Sequence, residues 1–148
     1  MRFLLNAAAL CAAAFLLSAA DTPGKEVIFI GSQQVNAGFA KGGTLLNKGA
    51  YQILTSHRVQ PGEVEVHNLD TDIMYVIEGS ATIVTGGTVV DGKTTAPNEI
   101  RGKSINGGQT HHLTKGDILV VPEGVPHWYK QIDNKLVNYY VVKVRTGK

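Results

Sequence analysis

Gly116-Asp117-Ile118-Leu119-Val120-Val121-Pro122-Glu123-Gly124-Val125-Pro126-His127-Trp128 encodes a strand, a tight turn and the opening of a second strand. Gly116 turns the chain into the apolar run 117–121. Pro122 ends that run, because proline has no N–H to give to a strand ladder. Glu123-Gly124 supplies the tight turn, and His127 opens the returning strand 126–132. Alternation there puts His127, Tyr129 and Gln131 on one face.

Working outward, the same pattern fills most of the chain. Strand candidates are 50–58, 63–67, 72–78, 80–85, 109–113, 117–121, 126–132 and 137–145. Turn residues separate them, among them Pro61-Gly62, Gly79-Ser80, Gly86-Gly87, Gly107-Gly108, Lys115-Gly116 and Asp133-Asn134. Many short strands with glycine-rich turns predict an all-β sandwich or barrel. Upstream, Val27 to Ile30 is a short strand candidate. Ser32 is a plausible N-cap for a short helix through about Ala40, ending at Gly42-Gly43. The stretch 91–108, with Gly92, Pro97, Gly102, Gly107 and Gly108 among polar residues, is the least regular. It reads as a long loop, either a lid or binding loop or a tolerated surface insertion.

A second segment, Pro61-Gly62-Glu63-Val64-Glu65-Val66-His67 followed by Asp72-Ile73-Met74-Tyr75-Val76-Ile77-Glu78-Gly79, precedes the first, with 36 residues between Gly79 and Gly116. Together the two resemble the conserved segments of the cupin superfamily, G-x5-H-x-H-x(3,4)-E-x6-G and G-x5-P-x-G-x2-H-x3-N. Gly116, Pro122, Gly124 and His127 fall at the family spacing, and Gln131 replaces the final asparagine. Counting back from Gly79 puts Asp72 at the glutamate position, His67 at the second histidine and Glu65 at the first. Gly62 stands three residues nearer than the pattern's first glycine. The resemblance spans roughly residues 50–145. It implies a jelly-roll-like cupin β-barrel, open to solvent at one mouth and preceded by the short N-terminal helix. It also implies a homodimer.

On that reading His67, Asp72 and His127 point into the barrel and form a metal site. Two imidazoles and a carboxylate suit Fe(II), and also Mn, Ni or Zn. Glu65 is a fourth ligand, a general base beside the metal, or a solvated residue. Asp72 reaches less far than glutamate, so a water would bridge it if it does not ligate directly. Periodicity alone admits the opposite orientation, with Val64 and Val66 as core and Glu63, Glu65 and His67 on a solvated face. With His67 inward, the Val64 and Val66 face needs cover from an N-terminal strand or a second subunit. Tyr129 and Tyr139 are candidate pocket hydroxyls, and Tyr129 with Glu65 is a candidate catalytic group. His57 shares a face with Tyr51, Ile53 and Thr55. His111 and His112 point to opposite faces, so at most one looks inward. Trp128 reads as a packing anchor.

The two ends and the composition set the remaining bounds. Arg2, the apolar run from Phe3 to Leu17 and the small residues Ser18-Ala19-Ala20 read as a secretory signal peptide over 1–20. That run is short for a transmembrane span. A lipoprotein signal at Cys11 is the rival, with the large Leu10 against it, and an uncleaved anchor is a third reading. The expected mature chain, 21–148, is a single cupin domain, periplasmic or secreted. The only cysteine, Cys11, leaves with the signal, so disulfides and sulfur ligands are excluded from the mature domain. Thirteen Lys or Arg against twelve Asp or Glu over 21–148 give no electrostatic reason for a nucleic acid or an anionic membrane as partner. The function expected is a divalent-metal-dependent enzyme on a small organic molecule, of dioxygenase, isomerase or lyase type. A non-catalytic cupin binding a sugar or acid, and a metal-free structural cupin, are the alternatives.

Overall fold

The computed structural model describes residues 26–147; the expected signal segment 1–20 lies outside them. The described residues are all-β with one short helix. In order come α1 (Ser32–Phe39), β1 (Gly43–Asn47), β2 (Tyr51–Arg58), β3 (Val64–His67), β4 (Asp70–Thr85), β5 (Thr88–Val90), β6 (Lys93–Ala96), β7 (Glu99–Gly102), β8 (Ser104–Asn106), β9 (Gln109–Thr114), β10 (Ile118–Val121) and β11 (His127–Arg145). One sheet runs β1-β2-β11-β3-β7-β6; β4 joins it through β11 and also pairs with β9 and β10. A ribbon of β5 and β8 stands apart. Every pairing is antiparallel.

Two long strands carry the curl. The segments 72–78 and 80–85, expected as separate strands, are one strand, β4, that bends at Gly79 with φ +75°. The segments 126–132 and 137–145 are likewise one strand, β11, whose register with β4 shifts between Ile132 and Val137. The Asp133-Asn134 turn is therefore a bulge inside a strand. Gly79 pairs with Val137, so both strands bend at the same level. One half of β4 pairs with β10 and the other with β9. Paired bulges of this kind bend a flat ladder into a barrel wall. The interior holds Met74, Val76, Ala81, Ile83, Leu113, Val121, Tyr129, Val137, Tyr139 and Val141.

Other expectations need correcting. Residues 91–108 are not a structureless loop. They form β6, β7 and β8, and β7 pairs directly with β3. Each piece is only three or four residues long, too short to show a period between its glycines. Val64 and Val66 are buried within the chain itself, without an N-terminal strand or a second subunit. Val27 to Ile30 is not a strand, and Val27 and Phe29 are 97% and 89% exposed. Gly43, read as the end of the helix, instead opens an edge strand, Gly43–Asn47, on β2. Ser32 is the first helical residue rather than the cap. Gly31 holds that position in extended geometry and makes no side-chain capping bond. The helix lies against β2, where a Cβ on Gly38 would stand 2.7 Å from Thr55 Oγ1, and the Phe39 ring meets Tyr140 edge-on at 4.9 Å.

Candidate metal centre

Strand register assembles the site. His67 is the last residue of β3, His127 the first of β11 and Asp72 the third of β4. β3 lies between β11 and β7, so Glu65 faces His127 on one side and Arg101 on the other. His67 faces Glu99 across β7, and Asp72 faces Lys143 across β11. Residues directly opposite in an antiparallel pair share a face and touch. The turn after Pro122 closes on the same corner, where the Gly124 N–H donates to the His67 carbonyl at 2.8 Å.

Four side chains converge. His67 Nε2 lies 3.3 Å from Asp72 Oδ2 and 3.6 Å from Glu65 Oε2. His127 Nε2 lies 3.8 Å from each of those two oxygens. Glu65, His67 and His127 each offer one ligand atom, all within 4.8 Å of one another, so this group is able to hold a metal ion. His67, Asp72 and His127 are buried, and His67 Nε2 has no hydrogen-bond partner among the described residues. A buried, unsatisfied imidazole nitrogen is costly. Coordination by a cation would satisfy it, and two imidazoles with carboxylate oxygens form a donor set that divalent first-row metals accept. The residues fit the group.

The surrounding side chains orient these donors. His67 Nδ1 meets Glu99 Oε1 at 2.6 Å. A carboxylate can only accept there, so Nδ1 carries the proton and Nε2 faces the cavity. His127 Nδ1 faces the Val125 carbonyl at 3.5 Å, the same arrangement made weakly. Arg58 and Arg101 both hold Glu65 Oε1, which leaves Oε2 toward the imidazoles. Lys143 Nζ holds Asp72 Oδ1 at 2.7 Å, which leaves Oδ2 toward them. Glu65 is thus clamped rather than solvated.

Electrostatics follow from these contacts. Burial disfavours the charge on Glu65, but the neighbouring His67 imidazole, 3.6 Å away, and the charges of Arg101, His127 and Arg58 outweigh it and hold the carboxyl well below the usual range. Burial likewise opposes ionisation of Asp72, and His67 and Lys143 overcome it. Burial works against His67 too, yet the carboxylates of Asp72 and Glu65 raise it to about 9. For His127 burial prevails over the same carboxylates and lowers it to about 4. Two imidazoles side by side, with ring centroids 5.2 Å apart, are not both imidazolium.

The other expected site residues fall differently. Tyr129 lines the same cavity, but its hydroxyl donates to Met74 Sδ at 3.3 Å. Burial holds its ionisation well above the ordinary value. Its ring stacks on Tyr139 and under Arg58, and Tyr139 accepts from Arg58 Nε at 2.7 Å. His57 bonds Asn138 and His111 bonds Thr85. His112, 60% exposed, pairs with Asp133. None of the three lines the cavity. Trp128 anchors packing through Nε1–H to the Gly62 carbonyl. Arg58, Glu99, Arg101 and Lys143 did not stand out in the sequence. Only register brings them to the ligands, and no spacing in the chain announces it.

The cavity measures about 220 Å³ and is lined by these groups together with Leu54, Thr55, Ser56, Met74 and Val141. A larger recess of about 460 Å³ lies outside it, between Glu63, Asp91, Lys93 and Lys103. Its walls are largely exposed charged residues, and it contains none of the converging donors. A curled antiparallel sheet whose cavity gathers a two-histidine, carboxylate-rich cluster defines a β-barrel with a candidate metal site. Residues 62–147 match the Cupin family, and the chain belongs to it. No curated protein sequence matches the chain. Among solved structures it is similar to protein NMB1881 from Neisseria meningitidis, at 13% identity over 79% of this chain and 99% of that one, with a TM-score of 0.53. It is similar to the cupin domain of Cnp3 from Schizosaccharomyces pombe, at 13% identity over 70% and 59%, TM-score 0.51. An RmlC-like cupin with a double-stranded β-helix fold from Methanocaldococcus jannaschii aligns at 17% identity over 71% and 79%, TM-score 0.50. At these identities the likeness shows the fold.

Proposed function

We propose that the protein is a divalent-metal-dependent enzyme acting on a small organic molecule inside the barrel. The observation that carries this reading is the orphaned His67 Nε2, gathered with His127 Nε2, Glu65 Oε2 and Asp72 Oδ2 in one cavity of the barrel. In this reading His67, His127 and Glu65 hold the metal, and Asp72 holds it directly or through a water. A metal there would supply Lewis acidity toward a substrate oxygen. The chain's own groups orient and exclude water. Glu99 fixes the His67 tautomer, Arg58 and Arg101 fix Glu65, and Lys143 fixes Asp72. Glu65 serves as ligand rather than general base, since a carboxylate held so far below its usual range is a weak proton acceptor. Tyr129 shapes the wall.

The test is reconstitution of metal-free protein with Fe(II), Mn, Ni or Zn, followed by turnover and O2-uptake assays on small acids, diols and sugars. Turnover that requires metal and disappears in His67→Ala supports the enzyme. Saturable binding without turnover across the panel supports a non-catalytic binder instead. That second reading draws on one observation: every carboxylate facing the cavity already has a cationic or imidazole partner.

We also propose a secreted or periplasmic homodimer consisting of the single domain 21–148, cleaved after Ala20. The signal-like N-terminus supports export, and N-terminal sequencing of protein recovered from the periplasm checks it; a retained Met1 would contradict it. Exposed apolar residues on the outer face support the dimer. Ile118 lies opposite Tyr75 and Val120 opposite Ile73 across β10 and β4, and all four are exposed.

A further inference from the structure

The excursion between β4 and β9 leaves the barrel through a joint made of glycine. Thr85 pairs with Gln109 at the end of the β4–β9 ladder, and Thr88 pairs with Asn106 at the start of the β5–β8 ladder. Between the two ladders stand Gly86-Gly87 on one strand and Gly107-Gly108 on the other. All four have φ between +72° and +83°, a region that residues with a Cβ rarely adopt. Both strands therefore turn sharply at the same level, backbone against backbone. A Cβ on Gly87 would stand 2.6 Å from the Asn106 carbonyl oxygen, and one on Gly108 2.7 Å from that of Thr85. Gly86 and Gly107 have nothing within 4 Å of a Cβ, so no side chain braces them. The barrel side of the joint is fixed, because the Gly86 N–H donates to the Pro126 carbonyl at 2.8 Å.

Beyond the joint, residues 88–106 hold to one another. β5 pairs with β8 and β6 with β7. The Lys103 N–H donates to the Val90 carbonyl at 3.0 Å, Lys103 meets Asp91 at 2.8 Å, and Val89 sits over Gly102, where no Cβ would fit. The broadest contact of this arm with the barrel is β7 on β3. The Asn68 N–H donates to the Asn98 carbonyl at 2.9 Å beside it, and the ion pairs Glu99–His67 and Arg101–Glu65 close the same seam. Glu99 and Arg101 are also one wall of the cavity. We propose that residues 88–106 swing as one body about the two glycine pairs and gate the cavity on its β3 side. Swinging out takes Glu99 from His67 and Arg101 from Glu65, while Arg58 on β2 and Lys143 on β11 stay in place. It also uncovers Val64 and Val66, which are buried outside the main core, so the open state is a minor one. The hinge stands on backbone geometry alone; its effect on metal entry rests on the metal-site reading above.

Hydrogen exchange of the metal-free protein separates a swing from local unfolding, because a swing breaks the bonds between β3 and β7 and keeps those inside the arm. The Asn68 amide and the amides joining β3 to β7 are expected to exchange about ten-fold or more faster than those joining β6 to β7. Equal rates, or faster exchange inside the arm, overturn the swing. A lock tests the gate. Glu63 and Lys103 stand one step beyond the Val64–Gly102 pair in the same register, touch none of the converging donors, and no cysteine occurs among residues 26–147. Bridging Glu63→Cys with Lys103→Cys by oxidation should slow both Asn68 exchange and release of bound zinc to a chelator, and reductant should restore both. Release as fast from the bridged as from the reduced protein overturns the gate. A wild type that holds no zinc overturns the metal reading and its gate, and amide exchange then decides the hinge by itself. If the bridge does not form, Gly107→Ala decides. Its methyl meets nothing within 4 Å but is strained at φ +73°, so it should speed Asn68 exchange several-fold and leave β6–β7 exchange unchanged. Unaltered Asn68 exchange overturns the hinge.

Discussion

At the scale of single residues, the centre depends on groups that hold other groups. The Glu99 carboxylate meets His67 Nδ1 at 2.6 Å, and removing such a partner ordinarily costs 10–100-fold in metal affinity. Glu99→Gln is therefore expected to weaken zinc binding by about that factor while the β-sheet circular dichroism stays unchanged, measured by chelator competition; unaltered affinity would remove Glu99 from the site. The two histidines set opposite pH limits on the metal-free chain. His127 is lowered from 6.5 to about 4, so the stability it contributes is present above pH 6.5 and lost as pH falls through 4. His67 is raised from 6.5 to about 9, so its contribution is present below pH 6.5 and lost as pH rises through 9. Each limb has a slope of up to about 1.4 kcal/mol per pH unit. Urea melts of the metal-free protein should peak near pH 6.5, and a flat profile from pH 5 to 9 would contradict these assignments. His67, Asp72 and His127 were legible because family spacing pins each one to a turn. Glu65 was legible in position but not in role, because its role depends on Arg58 and Arg101. The same spacing has nothing to say of those two, nor of Glu99 and Lys143, each brought in by a strand pairing distant in sequence.

At the scale of elements, strand existence was legible and strand continuity was not. Glycine reads as a turn, and Gly79 was placed between two strands, yet the chain bends there without leaving the sheet. A Cβ at Gly79 would lie 1.9 Å from the Leu136 carbonyl oxygen, at φ +75°. Gly79→Ala is therefore expected to cost roughly 2–4 kcal/mol in urea unfolding. A loss under 0.5 kcal/mol would show that the bend is not needed. The stretch 91–108 failed for the converse reason. Its strands are stabilised by pairing β7 with β3, β6 with β7 and β8 with β5, and the composition of the stretch does not record those partners. That stretch matters to the site because it delivers Glu99 and Arg101.

At the scale of the whole molecule, the barrel was legible because inward alternation survives the bulges. Asp72, Met74 and Val76 face in on one half of β4, and Ala81 and Ile83 on the other. Outside, Ile118 is 65% and Val120 54% exposed, and an apolar cross-strand patch of this kind marks an interaction surface. The proposed dimer predicts that Ile118→Lys with Val120→Lys shifts sedimentation from dimer to monomer with the metal retained; a monomeric wild type would remove the dimer. The family and its curled sheet stand independently of that outcome. The central claim is narrower, that Glu65, His67, Asp72 and His127 enclose a metal. It is tested most directly by metal analysis of wild type and His127→Ala, purified in parallel without chelator and matched by circular dichroism. The wild type is expected to hold close to one equivalent of a divalent metal, and the variant to lose nearly all of it. Equal metal content in the two proteins would contradict it.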